Sequence, residues 1–170
     1  MLTEEDQLRA VGLWTAASAE RVLALFEAWV GADSRPREAI EGIREFGLGG
    51  RPVGRLRSLA WAAHAAAGEA SDPVAKAAAR AASLAAASAY MHPSLASPSQ
   101  TKHALGPAVY AARAREAATG DSGIGDQEIR WAIEHASATV RALVQRMPSR
   151  SPGRPRLATL YDQLDAGLRR

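Results

Sequence analysis

Alanine-rich segments with apolar residues at three- and four-residue spacing run through most of this chain, and they constrain its fold more than any other feature. Alanine accounts for 39 of the 170 residues, and it is the strongest helix former. The spacing predicts amphipathic helices, while the alternation typical of strands is scarce. We therefore predict an all-α protein, a compact bundle of six to seven mostly antiparallel helices joined by short loops.

Capping and breaking residues set the limits of these helices. Thr3 is a predicted cap of the first helix, and Asp72-Pro73 combines a capping acid with proline at the first helical position. The first helix has a candidate break near residues 15–18. The predicted helices cover about residues 3–30, 34–46, 53–69, 73–90, 100–118, 126–147 and 156–168.

The four tryptophans lie on or beside the apolar stripes of these helices. The stripe of the first helix contains two of them, and this position predicts side chains packed in the core. A partly exposed tryptophan would instead mark an interface with a partner. The tryptophans are Trp14, Trp29, Trp61 and Trp131.

Length and composition indicate one domain and exclude several classes of site. We expect residues 1–170 to form a single helical domain, in which a basic Pro/Arg linker at 146–156 precedes a short C-terminal helix. The absence of cysteine excludes disulfides, thiolate metal sites and thiol nucleophiles. The first residues lack signal-peptide features, and no apolar run approaches the ~18 residues of a membrane span. We expect a cytoplasmic protein without membrane contact, and the sequence carries no signal for its oligomeric state.

The search for a catalytic centre gives one incomplete motif and one pair of histidines. The segment from Gly49 to Arg55 has the glycine spacing of a phosphate-binding loop, but it lacks the preceding strand, the lysine and the magnesium-binding hydroxyl. His64 and His103 have two interpretations: a tertiary cluster with a carboxylate, or separate half-buried side chains bonded to backbone or tyrosine. No histidine has the spacing of a metal-binding pair. We predict a non-enzymatic protein with no cofactor and no metal.

A basic segment near the C-terminus supports an alternative, a nucleic-acid-associated helical protein. Residues 146–156 contain four arginines and no acid, and arginines in such a segment can contact phosphates. The segment lacks the interleaved aromatic residues that stack on bases, so a solvated linker is the competing interpretation. The arginines are Arg146, Arg150, Arg154 and Arg156.

Four segments of the sequence resemble a known protein family. The family is the immunity proteins of bacterial polymorphic toxin systems, which are small and all-helical. The resemblance implies a protein that neutralises a toxin by binding it, with a protein partner and no catalytic residues. The segments are WTAASAERVLALFE (14–27), DSRPREAIE (33–41), AHAAA (63–67) and HALGPAVYA (103–111).

Seven residues of these segments are candidate binding residues. Those at the start of the second predicted helix have two interpretations, a charged rim for a partner or a structural set in which Asp33 caps the helix and Arg37 pairs with Glu41. The candidates are Asp33, Arg35, Arg37, Glu41, His64, His103 and Tyr110.

The net charge of +3 limits the kind of toxin. Inhibitors of basic nucleases are expected to be acidic, because opposite charges steer the two proteins together. We therefore expect that the toxin is not a strongly basic nuclease, or that the acids of this chain cluster on one face.

Overall fold

The computed structural model describes residues 1–50, 54–91, 98–149, 153 and 155–170. These residues contain nine α-helices, a 3-10 turn and no strand, so the all-α prediction is confirmed while six to seven helices is too few. No helix within these ranges has both the length and the apolar character needed to cross a membrane. The helices are α1 (Glu4–Glu20), α2 (Leu23–Trp29), α3 (Arg35–Gly47), α4 (Arg55–Glu69), α5 (Pro73–Ala87), α6 (Pro98–Thr119), α7 (Ser122–Glu134), α8 (Ala138–Arg146) and α9 (Arg156–Arg169), with the 3-10 turn at Ser88–Tyr90.

Two of the predicted helices each divide, which accounts for the difference in number. The first ends at Glu20, not near residues 15–18 as predicted, and α2 follows after Val22, whose φ of −119° lies outside the helical range. The sixth divides into α7 and α8. The Ser137 hydroxyl caps α8 by accepting the backbone N–H of Val140 at 3.2 Å.

Two predicted N-caps are confirmed. At α1 the Thr3 hydroxyl accepts the backbone N–H of Asp6 at 3.0 Å, and the Asp6 carboxylate accepts the backbone N–H of Thr3 at 2.9 Å. At α5 the Asp72 carboxylate accepts the backbone N–H of Val74 at 2.8 Å, and proline occupies the first helical position. Both caps satisfy backbone donors that the helix itself leaves unpaired.

The helix α5 is enclosed by other helices on most of its surface. It contacts α1, α2, α3, α4 and α6, and ten of its fifteen residues are buried, most of them alanine. Small side chains allow the neighbouring helices to approach closely, as the dense packing of protein interiors requires. In α6, a Cβ atom at Gly106 would lie 2.5 Å from Leu84 Cδ1 of α5, so a larger residue there would require the Leu84 side chain to move. Pro107, predicted near the start of this helix or at a kink, lies inside α6.

Two hydrophobic clusters form the core, and they share two helices. The first cluster contains buried side chains of α2, α3, α4 and α5 together with Ala16 of α1 and Ala111 of α6. The second contains side chains of α6, α7, α8 and α9 together with Val11 and Trp14 of α1. Because α1 and α6 contribute to both clusters, they join the two parts of the molecule.

The C-terminal helix α9 is part of the second cluster. Leu160, Leu164 and Leu168 are each 0 % exposed, and α9 contacts α6, α7 and α8. Arg169 pairs with Asp165 at 3.0 Å and donates to the Met147 carbonyl at 2.9 Å. These contacts fix α9 against α8 at the end of the bundle.

Candidate functional site

The predicted charged rim at the start of α3 is held by ion pairs within the chain. The Arg35 guanidinium donates to Asp33 at 2.7 Å and to Glu69, at the end of α4, at 2.5 Å. The Asp33 carboxylate also accepts the backbone N–H of Arg35, at 3.1 Å. Hydrogen bonds from Arg35 favour the charged carboxylates and hold the pKa values of Asp33 and Glu69 below their usual range. Arg35 therefore ties the start of α3 to α4.

Arg37 forms its close ion pair with α2 and not within α3. Its guanidinium contacts the Glu27 carboxylate at 2.6 and 2.8 Å, whereas the predicted partner Glu41 lies at 4.0 Å. The hydrogen bonds from Arg37 lower the pKa of Glu27. The structure thus places Asp33, Arg35 and Arg37 at the start of α3 in ion pairs within the chain, and Glu41 in the middle of that helix, exposed and 4.0 Å from Arg37. Their role in binding stays a prediction.

The other predicted residues lie around Arg80 of α5. Arg80 Nη1 donates to His64 Nδ1 of α4, and Arg80 Cζ lies 6.0 Å from the ring centroid of Tyr110 of α6. The Trp61 ring meets the His64 ring edge-on, with centroids 5.8 Å apart. The charge of Arg80 also acts on His103. We call Trp61, His64, Arg80, His103 and Tyr110 the Arg80 cluster.

The two histidines of this cluster match the predicted interpretations only in the half-burial of His103. His64 is exposed and bonded to an arginine, and His103 is half-buried with a buried Nδ1 that has no hydrogen-bond partner. Burial lowers the pKa of His103, and the charges of Arg80 and Lys102 lower it further. The charge that acts on both histidines is therefore that of a cation, Arg80. Within the described ranges, no three His, Asp or Glu residues form a group that could hold a metal.

A groove of about 390 Å³ lies beside the Arg80 cluster, between α5, α6 and the start of α9. Among the described residues, Lys76 and Arg80 form no ion pair, while Arg113 contacts Glu116 at 3.0 Å. The groove therefore presents positive charge that the surrounding fold does not neutralise. Its lining consists of Pro73, Lys76, Ala77, Arg80, Tyr110, Arg113 and Leu157.

Two tryptophans predicted to be buried are exposed. Trp29 is 62 % exposed and Trp61 is 66 % exposed, whereas the other two are buried or half-buried. Trp29 belongs to the stripe that predicted one continuous first helix. The break after Glu20 reorients α2, so that Leu23 and Phe26 face the core instead. Trp61 lies on the side of α4 that faces away from the buried residues of this helix, such as Leu56 and Ala63.

The basic segment at 146–156 has its described arginines in internal contacts. Arg146 is the last residue of α8, and its guanidinium donates a hydrogen bond to the Gln7 side-chain oxygen at 2.6 Å. Arg156 begins α9 and contacts Glu116 at 2.8 Å and Asp126 at 2.7 Å. Arg150 and Arg154 lie outside the described residues. The use of this segment in nucleic-acid binding stays a prediction.

Sequence reasoning identified three members of the Arg80 cluster and missed the residue that connects them. A lone arginine in an alanine-rich helix is typical of a solvated charge, and its neighbours on α4 and α6 become visible only in three dimensions. One signal was present. Lys76 and Arg80 are four residues apart on a helix with no other charge, so they lie on the same side of it.

Comparison with known proteins gives one family match. The family model described as Imm-5 like putative immunity protein matches residues 1–139. This range contains the charged rim and the whole Arg80 cluster and ends at the start of α8. No curated protein and no solved structure matches the chain. The resemblance predicted from four segments is confirmed, and the chain belongs to the Imm-5 like immunity protein family.

Proposed function

We propose that this protein neutralises a toxin by binding it, and that it does so without catalysis. Membership of an immunity protein family supports the role. The observation that carries the proposal is the exposure of Trp61, whose ring contacts the ring of His64, the side chain that accepts a hydrogen bond from Arg80. Tryptophan, tyrosine and arginine are enriched among the few residues that carry most of the energy in protein interfaces. Arg80 of α5 lies 6.0 Å from the ring centroid of Tyr110 of α6 and is linked to Trp61 of α4 through His64.

Inhibition by binding needs an exposed complementary surface and no reactive group. A partner seated on the Arg80 cluster would bury the large apolar area of Trp61, which water otherwise contacts. The ion-paired residues at the start of α3 would form part of a polar rim. The single domain and the cytoplasmic location expected from the sequence belong to this proposal.

The first test is capture of the partner followed by neutralisation of its toxicity. Tagged protein is incubated with lysate of the source cells, one half of it nuclease-treated, and the bound proteins are identified by mass spectrometry. The partner is then expressed alone and together with this chain, and growth of the host cells is measured. We expect a partner that survives nuclease treatment and stops growth only when expressed alone. Capture of nucleic acid alone, or growth arrest that persists on co-expression, would contradict the proposal.

Titration of the purified partner distinguishes binding from catalysis. We expect inhibition to be complete near equimolar amounts and the mass of the partner to stay unchanged. Complete inhibition by a small fraction of an equivalent, with a change in partner mass, would show an enzyme instead.

A matched pair of tryptophan variants tests the location of the surface. Trp61→Ala should weaken partner binding by about 2 kcal/mol or more, roughly thirtyfold in Kd, because a central tryptophan is a typical hot spot. Trp29→Ala removes an equally exposed tryptophan outside the Arg80 cluster and should leave the affinity nearly unchanged. Calorimetry with the captured partner measures both, and a larger loss for Trp29→Ala would place the interface on α2.

A further inference from the structure

We propose that the groove between α5 and α6 binds an acidic segment of the protein partner, an inference that rests on the proposed function. Lys76 and Arg80 hold the carboxylates of this segment, while Tyr110 and Leu157 contact its apolar part. The occupant is a loop or terminus of the toxin that contains glutamate or aspartate.

The first argument is the isolated charge of α5. Lys76 and Arg80 are the only charged residues of this helix, and like charges at i and i+4 repel each other. No acid among the described residues lines the groove to offset that repulsion. A bound carboxylate would remove it. Among the described residues an ion pair is likewise absent at Arg57, Arg130 and Arg146, but those residues do not line this groove. An acid accompanies Arg9, Arg21, Arg35, Arg37, Arg44, Arg113, Arg115, Arg156 and Arg169.

The second argument is the way in which Arg80 is positioned. His64 Nδ1 accepts one N–H of its guanidinium, and the Tyr110 ring lies beside it. A guanidinium has five N–H donors in a planar fork. One contact with a neutral acceptor therefore fixes its position while leaving donors and the full charge for a ligand. Carboxylates match this fork with two parallel hydrogen bonds.

The third argument is the size and lining of the groove, which favour a peptide over a nucleic acid. A volume of about 390 Å³ accommodates a short stretch of side chains, and Pro73, Ala77 and Leu157 provide an apolar wall. Nucleic acids bind along extended positive surfaces that contact several phosphates. Arg146 and Arg156 do not extend the groove in this way, because Gln7, Glu116 and Asp126 already bind them.

The test uses a short peptide of alternating glutamate and alanine as the probe, independently of the toxin. Nuclear magnetic resonance of the isotope-labelled full chain follows the amide signals of Ala77, Arg80 and Tyr110 during titration. We expect saturable shifts at these amides that weaken with added salt, since the contact is between charges. The same peptide with glutamine in place of glutamate should leave the signals in place. Inorganic phosphate and an oligothymidylate are titrated separately.

A charge reversal and its matched control sharpen the test. Lys76→Glu should weaken peptide binding by about tenfold or more, because an attractive charge becomes repulsive. The same substitution places an acid one turn before Arg80, so the melting temperature should stay equal or rise. Arg130→Glu reverses an exposed arginine of α7 outside the groove and should change the affinity less than twofold, within the range of a rim charge. For the captured toxin, we expect the same order of effects.

Any one of the following results would overturn the proposal. One is a titration without shifts in the groove; another is equal binding of the glutamine peptide. The third is stronger binding of the oligothymidylate than of the glutamate peptide, which would assign the groove to nucleic acid. If wild-type protein and Lys76→Glu bind the captured toxin equally, the groove assignment fails while the proposed function stands.

Discussion

Arg80 and His103 illustrate how a few ångströms of surrounding protein set the properties of one side chain. Burial removes water from the His103 imidazole, and two cations, Arg80 and Lys102, oppose its protonation. The folded protein therefore keeps this residue neutral at a pH where the unfolded chain takes up a proton. The buried Nδ1 of His103 has no hydrogen-bond partner among the described residues, and its loss of contact with water adds a cost in folding free energy.

Acid should therefore destabilise the protein in a window set by His103. Because its folded pKa lies below the ordinary 6.5, stability is highest above that pH and falls as the pH drops through it. His103→Gln removes this part of the pH dependence. Urea unfolding of both proteins between pH 8 and about 5 measures it. Identical slopes for the two proteins would contradict the prediction.

The carboxylates of Asp33 and Asp126 change the stability of the protein at a lower pH than His103 does. Their effect is therefore separate from the one measured for His103. Arginine partners hold the pKa values of Asp33 and Asp126 below the ordinary 3.8, so their contribution is present above that pH and is lost in stronger acid.

At the residue scale, the sequence predicted which side chains are near the candidate site better than what they do there. His64, His103 and Tyr110 were singled out, and the structure places all three around Arg80. Arg80 was missed as their common neighbour, because its i,i+4 spacing from Lys76 indicates only a shared side of α5 and not the neighbouring helices α4 and α6. The exposure of Trp29 was missed because the apolar stripe was extended through a break in the helix.

At the element scale, α5 depends on small side chains more than on apolar content. Its alanines let five other helices pack against it, and little space remains at the contacts. Burying a larger apolar side chain there would force the neighbours apart and not fill a cavity.

Ala82→Leu should destabilise the protein by about 2 kcal/mol, since overpacking a close contact displaces its neighbours. Ala82 is 0 % exposed. Ala65→Leu, at an exposed position of α4, is the matched control and should be close to neutral because leucine is a good helix former. Urea unfolding measures both variants, and a shift of the midpoint at an unchanged slope gives the change in the free energy of unfolding. An equally small effect of both substitutions would show that α5 is loosely packed.

The predicted helix ends agree with the structure where the sequence contains a capping or helix-breaking residue. Thr3 and Asp72 are N-cap residues that can be recognised from the sequence alone. The break between α7 and α8 also had a signal, since Ser137 precedes α8 and accepts one of its first N–H groups. The break at Val22 had none, because α2 begins without a side-chain cap, glycine or proline.

At the scale of the whole molecule, two clusters share α1 and α6. The part of the chain beyond the family match includes α9, whose leucines are completely buried in the second cluster. If the shared helices couple the clusters, a loss of packing in α9 reduces the stability of α5 as well. This coupling is what the prediction of a single domain requires.

Leu164→Ala tests that coupling. It should destabilise the protein by about 3 kcal/mol, the usual effect of truncating a buried leucine. Amide hydrogen exchange in α5 should accelerate by the same free energy. Leu48→Ala, at a position 74 % exposed, is the control and should change neither quantity. Unchanged exchange in α5 of the Leu164→Ala protein would show that the clusters unfold separately.

The position of Lys76 and Arg80 on α5 affects how fast the protein can associate with a partner. Both side chains project from the helix that its neighbours enclose most fully, so the backbone that carries them is already ordered before a partner arrives. Binding then requires ordering of side chains and not of a loop. Complexes of this kind form at rates set by diffusion and electrostatic attraction. Under the proposed function, such rapid association would let the protein bind a newly made toxin before the toxin reaches its target.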